Sequence, residues 1–162
     1  MTELFDAVYI AISGNISFLE AMTLFLLAGV AYLLSKKYKI ASVIYSVFLI
    51  LYVTLLRREP GYNEIIRLDI RLKNAGVMVG NLLNLLLYIP FGGSMAVWKA
   101  QQRKSIWLVA AGSSFLLSVF CESMQYLSGR GWADVNDVVF NTVGGIVGVW
   151  LMKNISTDFR DR

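Results

Sequence analysis

Ser118 to Gly148 reads SVFCESMQYLSGRGWADVNDVVFNTVGGIVG. An apolar run carrying Glu122 and Gln125 meets a short loop with Arg130, and a second apolar run opens with Asp134, Asp137 and Asn141. On a helix, Ser118, Glu122 and Gln125 fall at i, i+4 and i+7, and Asp134, Asp137 and Asn141 at i, i+3 and i+7, so each set shares one face. Two polar helix faces are therefore joined by one tight turn. In a bilayer, isolated carboxylates cost at least about 2.5 to 3.5 kcal/mol each, so these must face protein or water and have partners.

The composition requires a bilayer. Of 162 residues, 57% are hydrophobic and 16% charged, against about 25% charged in soluble domains. The net charge of +4 is carried by basic residues lying between apolar runs, with no continuous basic stripe, so nucleic acid is not an expected partner. The chain has no histidine and one cysteine, Cys121, which leaves no intrachain disulfide, no His-based catalysis and none of the usual metal sites. No Lys or Arg precedes Lys36, so a signal peptide with a basic n-region is not expected and the first apolar segment should remain.

Five apolar runs stand out: Ile16 to Leu34, Ile40 to Leu56, Val77 to Trp98, Ser105 to Leu127 and Val135 to Met152. Each is near the length of about 17 to 25 residues that spans a membrane. The expected fold is an all-α polytopic membrane helical bundle with about five transmembrane helices, and no repeat or linker divides residues 1–162 into more than one domain. Lys36, Lys37, Lys39, Lys99, Arg103, Lys104, Lys153, Arg160 and Arg162 sit in two connections and the C-terminal tail. By the positive-inside rule this places the N-terminus outside and the C-terminus in the cytoplasm of a bacterial cell. The second connection opposes that rule, because Arg57, Arg58, Arg67, Arg71 and Lys73 then lie outside with Glu59, Glu64 and Asp69. A basic outer loop beside an acidic helix cluster is electrostatically matched.

Counting about 1.5 Å per residue along each helix puts the polar groups at one depth near the outer leaflet. They are Glu20, Thr54, Arg57, Asn81, Asn84, Glu122, Gln125, Asp137 and Asn141. Pro90 removes one hydrogen bond and crowds the Leu86 carbonyl, with Gly92, Gly93 and Ser94 following, so a kink or break is expected there. Gly144 and Gly148 form a small-xxx-small pattern that lets the last helix approach a neighbour closely.

Asn84 to Gly92 (NLLLYIPFG), Glu122 to Gln125 (ESMQ) and Gly129 to Gly145 (GRGWADVNDVVFNTVGG) carry an ordered pattern. It runs Asn before an IPFG turn, Glu-x-x-Gln, then Arg, D-x-x-D and N-T-x-G-G, with basic Arg57 closing an earlier helix. In these blocks the chain resembles the VanZ-like membrane protein family, over roughly Leu51 to Leu151. The resemblance implies an accessory role in glycopeptide (teicoplanin) resistance and supplies no reaction. Many members carry an Asn-Leu-x-Pro-Phe-like segment before the third helix, where this chain reads IIRLDIRLKNAG. Its alternation from Arg67 to Lys73 suits an extended segment, while Ile65, Leu68 and Leu72 also fit a helix face.

Glu122, Asp137 and Arg130 admit two readings, an ion-pair network holding helices together or a polar pocket open to the outside. Intramembrane ionisable residues favour the pocket. Its expected ligand-binding set is Arg57, Asn84, Glu122, Gln125, Arg130, Asp134, Asp137 and Asn141. Asp134 also suits a helix cap, and Asn84 and Asn141 also suit interhelical hydrogen bonding. Trp98, Trp107, Trp132 and Trp150 fit an aromatic belt, and no cofactor is expected. The expected partner is a membrane lipid or cell-wall precursor bound by the pocket. The alternatives are an enzyme acting on such a lipid, with Glu122 and Asp137 as its acid/base pair, and a proton-coupled exporter. The exporter ranks last, because the inner helix halves hold almost nothing ionisable.

Overall fold

The computed structural model describes residues 38–56, 58, 60–61, 65–71, 75–99 and 105–155. The expected first helix, Ile16 to Leu34, lies outside the described residues, as do Glu20 and Arg57. The order is α1 (Lys39–Leu51), continuing as a π-helical turn over Tyr52–Leu56, then β1 (Ile66–Arg67), α2 (Ala75–Trp98), α3 (Ile106–Leu127), β2 (Ala133–Asp134) and α4 (Val135–Ile155). Among the described residues four helices are long and apolar enough to cross a membrane, and they are 18 (with the π-helical turn), 24, 22 and 21 residues long. At about 1.5 Å per residue these match a hydrocarbon core of about 30 Å. The protein is an all-α polytopic membrane bundle.

The bundle is apolar outside and polar within, as lipid demands. Ile40, Ile44 and Phe48 form an exposed stripe along α1 at i, i+4 and i+8, while Ser42 and Ser46 on the other side are buried. On α3 the buried face runs Ile106, Ala110, Ser114, Ser118, Cys121, Glu122 and Gln125, which contains the polar face read from the sequence. Ile50, Tyr88, Phe91, Met95 and Cys121 form the main core cluster. Ala96, Ile106, Ala110 and Val149 form a second.

The most extensive helix pairing is α2 with α4. The two run in the same direction, since Leu85 meets Gly144 and Ile89 meets Gly148. Backbones touch there: a Cβ on Gly144 would overlap the Leu85 carbonyl, and one on Gly148 the Ile89 carbonyl. Small residues at such a seam maximise van der Waals contact where lipid removes the hydrophobic drive between helices. Of the kink or break expected at Pro90, the break does not occur. α2 is not broken there and runs continuously from Ala75 to Trp98. Only one N–H is missing, and every residue from Phe91 to Ala96 is buried against neighbours, so packing holds the helix together past the proline.

The described residues 58, 60–61 and 65–71 and the α3–α4 turn share one end of the bundle. There β1 and β2 pair in parallel, with Ile66 opposite Ala133 and Arg67 opposite Asp134. Gly61 N–H donates to the Gly129 carbonyl at 2.9 Å, and Ala133 N–H to the Ile65 carbonyl at 3.1 Å. Of the segment IIRLDIRLKNAG, Ile66–Arg67 is extended as β1, the chain bends at Asp69, and none of the described residues 65–71 is helical. They lie as a strap across the helix ends. At the opposite end, Lys99 stands 4.4 Å from the Trp98 ring centre and Lys153 4.8 Å from that of Trp107, an aromatic and basic boundary of the kind found at membrane surfaces.

Candidate functional site

The site is built on the turn that the sequence marks out. α3 ends with Gly129 in the left-handed region (φ 61°). Gly129 N–H donates to the Tyr126 carbonyl at 3.2 Å and Arg130 N–H to the Gln125 carbonyl at 2.9 Å, the paired bonds of a Schellman cap. This cap fixes where Arg130 leaves the helix. Its Nη1 donates to the Leu55 carbonyl at 3.1 Å and also to the carbonyl of Arg58. Both carbonyls are available because the helix ends here: Leu55 is in its last turn, where carbonyls have no intrahelical partner, and Arg58 lies just beyond it. Thr54 contributes by donating its hydroxyl back to the Ile50 carbonyl at 2.7 Å.

Gln125, 1% exposed, is the joint between three segments. Its Nε2 donates to the Thr54 carbonyl at 3.2 Å, and its Oε1 accepts from Arg58 Nη1 at 3.2 Å. Gly131 lies against this pair: a Cβ there would stand 2.8 Å from Gln125 Oε1 and 2.9 Å from Arg58 Nη1. A side chain would push the arginine off the glutamine.

α4 is started by Asp134, whose Oδ1 accepts from Asn136 N–H at 2.9 Å and from Asn136 Nδ2 at 2.9 Å. That is the N-cap geometry in which a carboxylate satisfies a free N–H of the first turn. Asp134 Oδ2 pairs with Arg71 Nη2, and Arg71 Nε stands 3.2 Å from Asp69. Asn136 holds the strap from below, with Oδ1 accepting from Arg71 N–H at 3.1 Å and Nδ2 donating to the Asp69 carbonyl at 3.0 Å. Arg67 lies over the Trp132 ring at 3.4 Å.

Beneath the strap sit the two acids. Glu122, 5% exposed, accepts from Asp134 N–H at 2.9 Å through Oε2. It also faces Asp137 and Arg58 electrostatically. Asp137 is in the field of Asp134, Arg58 and Arg71, and is hydrogen-bonded by the Asn84 side chain. One turn deeper, Asn141 Nδ2 donates to Ser118 Oγ at 2.8 Å. Asn141 Oδ1 and Asn81 Nδ2 are among the buried polar atoms without a hydrogen-bond partner, with the hydroxyls of Tyr88 and Ser114.

The structure thus gathers Asn84, Glu122, Gln125, Arg130, Asp134, Asp137 and Asn141 at one end of the bundle, while Arg57 lies outside the described residues. Arg58, Asp69, Arg71 and Asn136 complete the cluster and were not singled out from the sequence. The Arg57-Arg58 doublet and the Arg67, Asp69, Arg71 alternation carried a signal for three of them. Asn136 carried none, because only the strap's return over α4 gives it a role.

Four spanning helices that enclose carboxylates, amides and a guanidinium at one end define a polytopic membrane protein with a buried polar cluster. The chain belongs to the VanZ/LLP1 family, whose model matches residues 43–156, from within α1 to just beyond the end of α4. No curated protein and no solved structure matches the chain.

Proposed function

We propose that the cluster binds the polar head of an envelope lipid or cell-wall precursor, entering from the outer leaflet of a bacterial membrane, and that this underlies a role in glycopeptide (teicoplanin) tolerance. The supporting observation is that Glu122, 5% exposed, lies within electrostatic reach of the half-buried Asp137 and Arg58 at one end of the bundle, where unpaired charge is costly. Arg58, with Arg130 seated beside it and Arg57 next in the chain, meets anionic oxygens of the ligand. A planar guanidinium suits phosphate or carboxylate through two parallel hydrogen bonds. Asn84, Gln125, Asn141 and the unpartnered Asn81 Nδ2 fix orientation. Glu122 and Asp137 balance Arg58 and accept ligand hydroxyl or amide protons, with Asp134 closing the strap. In this reading the strap end faces outside and the Lys39, Lys99 and Lys153 end faces the cytoplasm.

A second reading, an enzyme acting on the same lipid, is favoured by the facing of Glu122 and Asp137, which places two carboxyl groups for acid/base work. Glu122→Gln separates the two, abolishing turnover while sparing part of the binding. The test of the site is teicoplanin tolerance in a susceptible bacterium expressing the wild type, Arg58→Lys, Arg130→Lys or Glu122→Gln, each first checked for folded yield by size exclusion. Loss of tolerance in folded variants supports the site. If all fold and keep full activity, the cluster is structural.

A further inference from the structure

The strap has a second face that the polar cluster does not use. On the strap Arg67 and Arg71 turn toward the protein, while Ile66, Leu68 and Ile70 do not. Arg67 and Arg71 engage Trp132 and Asp134. The other set is exposed, at 59% for Ile66, 79% for Leu68 and 66% for Ile70. The β1–β2 pairing and the two bonds from Asn136 to the Asp69 and Arg71 main chain hold the strap in place. Three large aliphatic side chains are held away from the protein by a strap that carries no other described core.

We propose that residues 65–71 form a membrane-interface anchor, in which Ile66, Leu68 and Ile70 enter the headgroup and acyl boundary of the leaflet at the strap end. Three observations select lipid as the occupant. The strap is continuous with the lipid-facing surface, since Leu56 and Leu127, where the neighbouring helices end, are exposed at 63% and 70%. Its connection carries Arg57, Arg58, Arg67, Arg71 and Lys73 against Glu59, Glu64 and Asp69, a positive balance that suits anionic headgroups. Trp132, stacked under Arg67 at 3.4 Å, is an amphipathic ring at the depth where tryptophan marks the interface. A second copy of the chain is a poorer fit, because three aliphatic side chains fall well short of the roughly 1,200 Å² that a stable protein interface buries. The inference stands apart from the ligand reading: the anchor holds whether or not the cluster binds a lipid head.

The test uses the full chain with single cysteines at Ile66, Leu68, Ile70, Asp69 and Leu116, each labelled with an environment-sensitive fluorophore. The unsubstituted chain, whose Cys121 is fully buried, is the baseline. The protein is reconstituted in vesicles of phosphatidylcholine and phosphatidylglycerol. Anchoring to a depth of about 5 to 10 Å gives blue-shifted emission at positions 66, 68 and 70. Those probes are then quenched by lipids spin-labelled near the headgroup and protected from iodide, while position 69 responds to iodide and position 116 to deeply labelled lipid. Iodide quenching at position 68 equal to that at 69 would make the strap an aqueous loop and overturn the proposal. Protection from both iodide and lipid quenchers would show a protein surface covering the strap, and would overturn it equally.

Discussion

Replacing Asp134 separates its two structural jobs. Asp134→Asn keeps a side-chain oxygen for the Asn136 N–H, and asparagine caps helices as well as aspartate, but it loses the charge opposite Arg71. Arg71 is 29% exposed and Asp134 13% exposed, between a surface pair of about 0 to 1 kcal/mol and a broken buried pair of about 3 to 5 kcal/mol. That position gives about 1 to 2 kcal/mol for Asp134→Asn. Asp134→Ala also removes the cap, adding about 1 kcal/mol, for about 2 to 3 kcal/mol in all. Reversible unfolding in mixed detergent micelles measures both, and a cycle with Arg71→Ala isolates the pair. The expected coupling is about 1 to 2 kcal/mol, and a value under about 0.5 kcal/mol would mean additive, independent sites. If the asparagine variant unfolds as easily as the alanine one, Asp134 is not the cap and the reasoning fails.

The seam between α2 and α4 predicts that Gly144→Val, whose Cβ overlaps the Leu85 carbonyl, destabilises by at least about 1 to 3 kcal/mol. Gly112→Ala, with nothing within 4 Å of its new Cβ, should be neutral or stabilising in the same unfolding assay. Gln125→Leu strands the Thr54 carbonyl and Arg58, for a loss of about 2 to 4 kcal/mol from one neutral and one charged hydrogen bond. Orientation is checked by impermeant thiol labelling of intact cells in a Cys121→Ser background: Asn63→Cys should react and Lys37→Cys should not. The opposite pattern inverts the topology.

The spanning segments were legible because lipid imposes a length and a composition. All four observed helices begin within two residues of the expected positions, and α4 runs to Ile155 where Met152 was expected. The buried face of α3 was legible from periodicity alone, as Ser118, Glu122 and Gln125 can only share a side. At Pro90 the sequence left a kink or a break open, and the helix is not broken, because a proline's local cost does not reveal the glycine seam that packs beside it. The pairing within the cluster was also hidden. Sequence placed Arg130 opposite the acids, yet its Nη1 donates to main-chain carbonyls at the end of the first described helix, a long-range pairing without a local signature. Arg71 found Asp134 and Asn136 only because the strap folds back in parallel with β2.

The central claim, that the cluster of Glu122, Asp137 and Arg58 holds a lipid head, is tested most directly by native mass spectrometry of the gently detergent-extracted protein. The wild type should carry one envelope lipid or cell-wall precursor of defined mass through activation that strips bulk phospholipid. Folded Glu122→Gln and Arg58→Lys should lose it. Retention of bulk phospholipid alone, or an identical adduct on the wild type and both variants, would contradict the claim.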